Sequence, residues 1–162
     1  MSGLVKVLVV YDSKTGNTEK MAKAIADGVE SVKGTKVFVK KVEDVSLNDL
    51  VRADGVVLGS PVYYGQMSAG LKSLVDKSVK VHGKLEGKVG AAFTSSGGKA
   101  SGAETTLISI LEALLVHGMI VQGRSSRRHY GSACVGAPKT QDIRECKELG
   151  KRVATLCMKL KE

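Results

Sequence analysis

Three short stretches concentrate the residues able to do chemistry. Ser13-Lys14-Thr15-Gly16-Asn17-Thr18 packs three hydroxyls and an amide into six residues. Lying between an apolar run and a helical pattern, such a loop aims backbone N–H groups and a positive helix end at an anion. It lacks the second glycine and following lysine of a nucleotide-triphosphate loop, so an NTPase is disfavoured. A turn and helix cap would use the same residue types, and this loop alone does not separate the two readings. The second stretch is Ser60-Pro61-Val62-Tyr63-Tyr64-Gly65-Gln66-Met67, which holds two of the six Phe and Tyr residues of the chain. Flat rings beside a glycine suit one face of a planar heterocycle, though a Tyr pair can equally cover a helix end. The third, Thr94-Ser95-Ser96-Gly97-Gly98-Lys99-Ala100-Ser101-Gly102, combines hydroxyls with glycines that let backbone approach a ligand. Alone it reads as a flexible loop.

The elements around them decide whether these stretches meet. Val5 to Val10 is nearly all apolar, as in a central parallel strand buried on both faces. A helix to about Glu30 carries Met21, Ala22, Ile25, Ala26 and Val29 on one stripe. Val37, Val39 and Val42 mark a lysine-flanked second strand, suited to a sheet edge. Ser46 can cap a short helix with Leu47, Leu50 and Val51. Gly55 to Gly59, Val89 to Phe93 and Met119 to Val121 read as strands three to five. Leu71, Leu74 and Val75 mark the third helix, and Leu107, Ile110, Leu111, Leu114 and Leu115 the fourth. After a long loop, Ile143, Cys146, Leu149, Val153, Cys157 and Leu160 define the last helix. Successive βα units predict one α/β domain, residues 1–162, with a parallel sheet covered by helices on both faces. Ligands of such sheets bind beyond the carboxyl ends of the strands, near the switch point. All three loops fall on that edge, and together they describe a site for a phosphate-bearing planar ring.

Composition excludes several classes. The chain has 162 residues, 43% hydrophobic and 25% charged, an ordinary globular mix. No apolar stretch approaches the roughly 20 residues that cross a bilayer. No secretory pattern opens the sequence, so membrane insertion is not expected and the cytoplasm is the default location. The charge of +9 would suit nucleic acid, yet aromatics are only 4%, Trp is absent and no zinc-finger or RNP-type pattern occurs. Nucleic acid is therefore not expected as a partner. Cys134, Cys146 and Cys157 form no C-x-x-C pair and read as buried packing residues, with no metal site expected.

At this point the sequence resembles the flavodoxin-like superfamily, whose strand order is 2-1-3-4-5 and which carries FMN at the switch point. Its Ser-x-Thr-Gly-Asn-Thr phosphate signature stands complete from Ser13 to Thr18. The middle of the chain is closest to the WrbA-like branch, FMN-dependent NAD(P)H:quinone oxidoreductases. Ser60 to Ser68 matches that branch's second loop with Gln66 in place of Asn, and Ser95-Ser96-Gly97 matches its Ser-Thr-Gly loop. His117-Gly118-Met119 matches its His-Gly-Met, while Val116 stands where the branch has a preceding His. The branch's insertion after the second strand is absent here.

The resemblance implies cofactor contacts and no protein catalytic residue. Ser13, Lys14, Thr15, Gly16, Asn17 and Thr18 would hold the FMN phosphate. Pro61, Val62, Tyr63, Tyr64 and Gly65 would meet the isoalloxazine, and Ser95, Ser96, Gly97, Gly98, Lys99 and Ala100 would line its pyrimidine side. The implied activity passes electrons from NAD(P)H through FMN to a quinone-like acceptor. A flavodoxin-type carrier docking on redox proteins is the alternative, and a homo-oligomer stays open. A basic protein should stabilise reduced, anionic FMN and so favour the reductase. From Ala113 to Gln141 the chain has no Asp or Glu but holds Arg124, Arg127, Arg128 and Lys139. This basic stretch is expected to rim the site, where Arg127 and Arg128 either attract NAD(P)H phosphates or an acidic partner, or form a solvated basic loop with no dedicated ligand.

Overall fold

The computed structural model of the chain describes residues 3–162. Its elements run β1 (Val5–Tyr11), α1 (Asn17–Glu30), β2 (Thr35–Lys41), α2 (Leu47–Arg52), β3 (Gly55–Pro61), α3 (Ala69–Lys77), β4 (Val89–Ser96), α4 (Ala103–Val116), β5 (Ile120–Val121), β6 (Ser132–Val135) and α5 (Thr140–Lys161). The strands pair in the order β2-β1-β3-β4-β5, all parallel, which is the flavodoxin-like doubly wound sheet.

Side-chain alternation along β1 explains the two layers of helices. Val5, Val7, Val9 and Tyr11 enter a core with Met21, Ile25 and Val29 of α1 and Cys146, Leu149 and Val153 of α5. Leu8 and Val10 enter the opposite core with Leu50, Leu71, Leu74, Leu107, Ile110 and Leu114 from α2, α3 and α4. A strand buried on both faces must be apolar at every inward position, and β1 is. β2 is the edge strand and carries Lys36, Lys40 and Lys41. Val42, expected in that strand, lies in the 3-10 turn that follows it. On one face α1 and α5 meet through reciprocal glycines. A Cβ on Gly28 would sit 2.0 Å from the Lys147 carbonyl oxygen, and one on Gly150 would sit 2.0 Å from that of Ile25. The three cysteines are buried and free, and burial pushes the Cys146 and Cys157 thiols up to about 12.

The fifth strand position differs from expectation. β5 pairs only with Val89 and Gly90, at the amino half of β4. Residues 122–131 then leave the sheet, and the chain returns as β6 beside Phe93 to Ser96. One strand position is thus filled by two segments. The basic excursion between them starts from the middle of the sheet's flank and not from its carboxyl edge. Among the described residues, no helix is long and apolar enough to cross a membrane.

Candidate functional site

Loop 12–16 turns from β1 into α1 through Gly16, which sits at φ +91° and caps the helix without a side chain. A left-handed residue there is readily supplied only by glycine. Its N–H is held by the Ser13 hydroxyl at 3.0 Å. The first helical bond of α1 runs from Lys20 N–H to Gly16 O. No side chain caps this helix, so the N–H groups of Asn17, Thr18 and Glu19 keep no protein acceptor among the described residues. A Cβ on Gly16 would meet nothing within 4 Å, so open space lies beside this start of a helix. An anion fits there on both geometric and electrostatic grounds.

Loop 61–66 is a tight two-residue turn. Tyr63 and Gln66 exchange backbone hydrogen bonds at 3.0 Å each way, and Tyr64 and Gly65 between them have φ of 50° and 74°. Left-handed backbone is uncommon for an aromatic residue, yet Tyr64 is 106% exposed and gains no packing for it. A two-residue turn of this kind requires positive φ at both central positions, so the turn and not packing holds the Tyr64 ring in the open. Across the gap, loop 97–101 has Ala100 at φ 50°, and a Cβ on Gly97 would meet nothing within 4 Å.

The three loops are braced against one another. Thr18 Oγ1 lies 2.8 Å from Ser95 Oγ, a buried bond that joins α1 to the end of β4. Val62 N–H donates to Ser95 O at 2.9 Å. The Lys14 ammonium sits 5.4 Å from the centre of the Tyr63 ring, a cation–π contact across the gap. Gly65 and Gly102 touch backbone to backbone, since a Cβ on Gly102 would fall 2.6 Å from the Gly65 Cα. Near the first loop, Glu19 accepts from the Tyr11 hydroxyl at 3.2 Å. The hydrogen bond and charge of Lys23 hold the Glu19 carboxyl below its ordinary value. Burial, then Glu19, pushes the Tyr11 hydroxyl up.

The structure gathers residues 13–18, 61–65 and 95–100 on one sheet edge, with different exposures. Ser13, Gly16 and Asn17 are half-buried, Lys14, Thr15, Tyr63, Tyr64, Gly97, Lys99 and Ala100 are exposed, and Pro61, Val62, Gly65 and Gly98 are half-buried. Thr18, Ser95 and Ser96 are buried and already engaged. Ser96 Oγ donates to Gly98 O at 2.9 Å, which shapes the third loop from beneath. These three hydroxyls set the positions of the backbone groups around them.

One expectation is corrected, and the reading of His117 as a helix-end residue holds. Arg127 and Arg128 do not stand free at the edge. Glu145 of α5, 2% exposed, receives Arg124 and also Arg127 at 2.9 Å. Burial pushes the Glu145 carboxyl up, but the hydrogen bond and charge of Arg124, with Arg127 and Arg128, outweigh it and leave it below its ordinary value. Arg128 pairs with Asp142 at 2.8 Å and also donates to Ala133 O. The acidic partners missing from residues 113–141 come from α5, which the basic loop packs against. His117 caps the carboxyl end of α4 at the amino edge of the sheet, away from the three loops. There it meets Ser78 Oγ at 2.7 Å and the His82 ring at 5.6 Å between centroids. Burial, then His82, lowers its pKa.

Sequence reasoning missed β6. Its end, Cys134 and Val135, stands beside Ser95 and Ser96 and brings Lys139 to the same edge. The only signal was a Ser-Ala-Cys-Val run of small and β-branched residues after Gly131.

Comparison with known proteins agrees with this fold. The sequence model of the family described as NADPH-dependent FMN reductase matches residues 40–128. An Archaeoglobus fulgidus protein named NAD(P)H dehydrogenase (quinone) is 36% identical, over 97% of this chain and 100% of that protein. An Aquifex aeolicus protein named flavodoxin is 39% identical, over 92% of this chain and 85% of that one. Among solved structures, the WrbA-like flavodoxin of Agrobacterium tumefaciens superposes with a TM-score of 0.82 at 25% identity, covering 96% and 98% of the two chains. A flavodoxin from the domain Archaea superposes at 0.78 with 34% identity, covering 95% and 99%.

Proposed function

From the premise that this chain belongs to the NADPH-dependent FMN reductase family, we propose that it is an FMN-dependent oxidoreductase passing electrons from NAD(P)H to a quinone-like acceptor. One observation carries the reading of the site. The uncapped start of α1 offers Asn17, Thr18 and Glu19 N–H groups to open space, beside the Ser13 and Thr15 hydroxyls. A terminal phosphate is the group such a cradle suits, which points to FMN over riboflavin. When bound there, FMN supplies hydride uptake from the donor and electron release to the acceptor.

The chain's own residues bind and orient. Residues 13–18 would hold the phosphate, and the Thr18–Ser95 bond fixes that grip relative to β4. Tyr63 and Tyr64 would form a wall against one face of the ring. Gly65 would bring a peptide group to its edge, and residues 97–100 would meet the pyrimidine side with backbone groups. The +9 charge of the chain favours an anionic reduced cofactor and attracts an anionic donor, within the reach that salt allows.

A carrier that docks on redox proteins is the second reading, because a 39% identical relative bears the name flavodoxin. Anaerobic mixing of the FMN-loaded protein with NADPH separates the two. The reductase bleaches its flavin absorbance rapidly and passes the electrons to an added benzoquinone. Bleaching by dithionite alone, with indifference to NADPH and NADH, would overturn the reductase reading in favour of the carrier.

A further inference from the structure

A hollow of ≈ 300 Å³ lies between the β4–α4 loop and the start of α5. Ser96, Gly98, Ala133 and Cys134 line it, with Lys99 on the loop side and Lys139 on the α5 side. Arg128 and Asp142 also line it, but they pair with each other at 2.8 Å and cancel. Lys99 and Lys139 are exposed, and neither is in an ion pair among the described residues. Two lysines outside any ion pair among the described residues therefore border the hollow, beside the Arg128–Asp142 pair.

Its position gives it a partner. Loop 97–101 forms one of its walls and is also the loop proposed to meet the flavin's pyrimidine side. In the sheet order, the aromatic turn after β3 lies on one side of this loop and the hollow beside β6 on the other. A donor whose reactive ring reaches the flavin can thus lay its remote end here. The hollow opens broadly to solvent, with room for a phosphate ester beside the two lysines. Lysine ammonium groups act as point charges toward phosphate, with no need for the bidentate geometry of arginine.

We infer that the hollow between the β4–α4 loop and α5 is a subsite for a phosphate ester of the nicotinamide donor, held by Lys99 and Lys139. The inference rests on the FMN reading of the neighbouring loops. It moves the anion-binding role from Arg127 and Arg128, whose charges α5 already occupies, to two lysines that remain free.

The test is calorimetric titration of wild type, Lys139→Gln and Lys99→Gln with adenosine 2′,5′-bisphosphate and with adenosine 5′-monophosphate. Because these probes carry no hydride, the titration reports on the hollow whether or not the flavin is reduced. Failure of the FMN reading would appear separately, as loss of FMN binding. The expected result is a weakening of the bisphosphate by about tenfold in Lys139→Gln, the size of one lost charged hydrogen bond. Lys139→Arg should restore binding, and in the Lys139 variants FMN affinity and reduction by dithionite should not change. In steady state the Lys139→Gln enzyme should show a raised KM for the donor at constant kcat. A rise for NADPH alone identifies the 2′-phosphate, and a rise for NADPH and NADH together identifies the bridging pyrophosphate. Bisphosphate affinity unchanged in Lys139→Gln, whatever Lys99→Gln does, or no binding by wild type, overturns the subsite.

Discussion

Two polar loops of this chain look alike in composition and behave oppositely in the fold. The loop 13–18 carries one lysine and no arginine, yet it ends in three helix N–H groups without an acceptor among the described residues. The loop 124–128 carries three arginines, and each is bound to a carboxylate of α5. The first is the proposed anion site because its backbone is unsatisfied. The second is a clamp because its charge is spent. Formal charge in a sequence therefore says little about where an anion binds; what counts is which donors the fold leaves without partners.

The largest expected effect comes from the clamp. Glu145→Gln leaves Arg124 and Arg127 facing a buried amide, and breaking a buried pair costs about 3–5 kcal/mol. For a domain of this size the melting temperature should fall by about 10 °C. FMN affinity at temperatures below the transition should not change. Loss of FMN binding at constant stability would reverse the roles assigned to the two loops.

The mirror experiment is Gly16→Val. A β-branched residue at φ +91° is strained, and its side chain would enter the space beside the helix start. FMN affinity should fall by at least about tenfold, while the strain costs only about 1–2 kcal/mol of stability. Calorimetry with FMN, alongside thermal melts, checks both.

The pH dependence sharpens the contrast further. The folded Glu145 carboxyl lies below its unfolded value, so the clamp's stabilisation is fully present above about pH 4.3 and is lost as pH falls through the lower folded value. The buried Cys146 and Cys157 thiols are raised to about 12, so their contribution is complete at neutral pH and is lost as pH rises past the unfolded thiol value toward 12. Denaturant titrations should give a stability plateau between these limits. In Glu145→Gln the acid-side decline should become shallower.

How much of this was legible differs by region, for physical reasons. The layers were readable because β1 is apolar on both faces and α1 keeps a stripe from Met21 to Val29. The start of α1 was readable as a helix start because a polar turn with a glycine follows an apolar strand, although those residue types alone did not separate an anion site from a cap. The role of Arg124, Arg127 and Arg128 was not, because their partners lie on α5, 14 to 21 residues away. β6 was hidden because four residues are too short for a strand pattern, and its register comes from β4. The buried pairing of Thr18 with Ser95 joins residues 77 apart, a separation that local pattern does not reach.

The smallest effect tests the edge of the comparison. Arg127 is 60% exposed, so Arg127→Ala should cost no more than about 1 kcal/mol, after allowance for screening. The rate of flavin reduction by NADPH should not change, at low or high salt. A slower, salt-sensitive reduction would return this arginine to the donor site and count against the clamp.

The central claim is that the α1 start binds the phosphate of the cofactor. It is tested most directly by measuring FMN and riboflavin affinities side by side, in wild type and in Thr15→Val. Thr15 is exposed in the loop and makes no hydrogen bond of its own among the described residues. The account predicts that wild type prefers FMN strongly, and that Thr15→Val weakens FMN while riboflavin affinity stays the same. Equal losses for both ligands, or equal wild-type affinities, would contradict it.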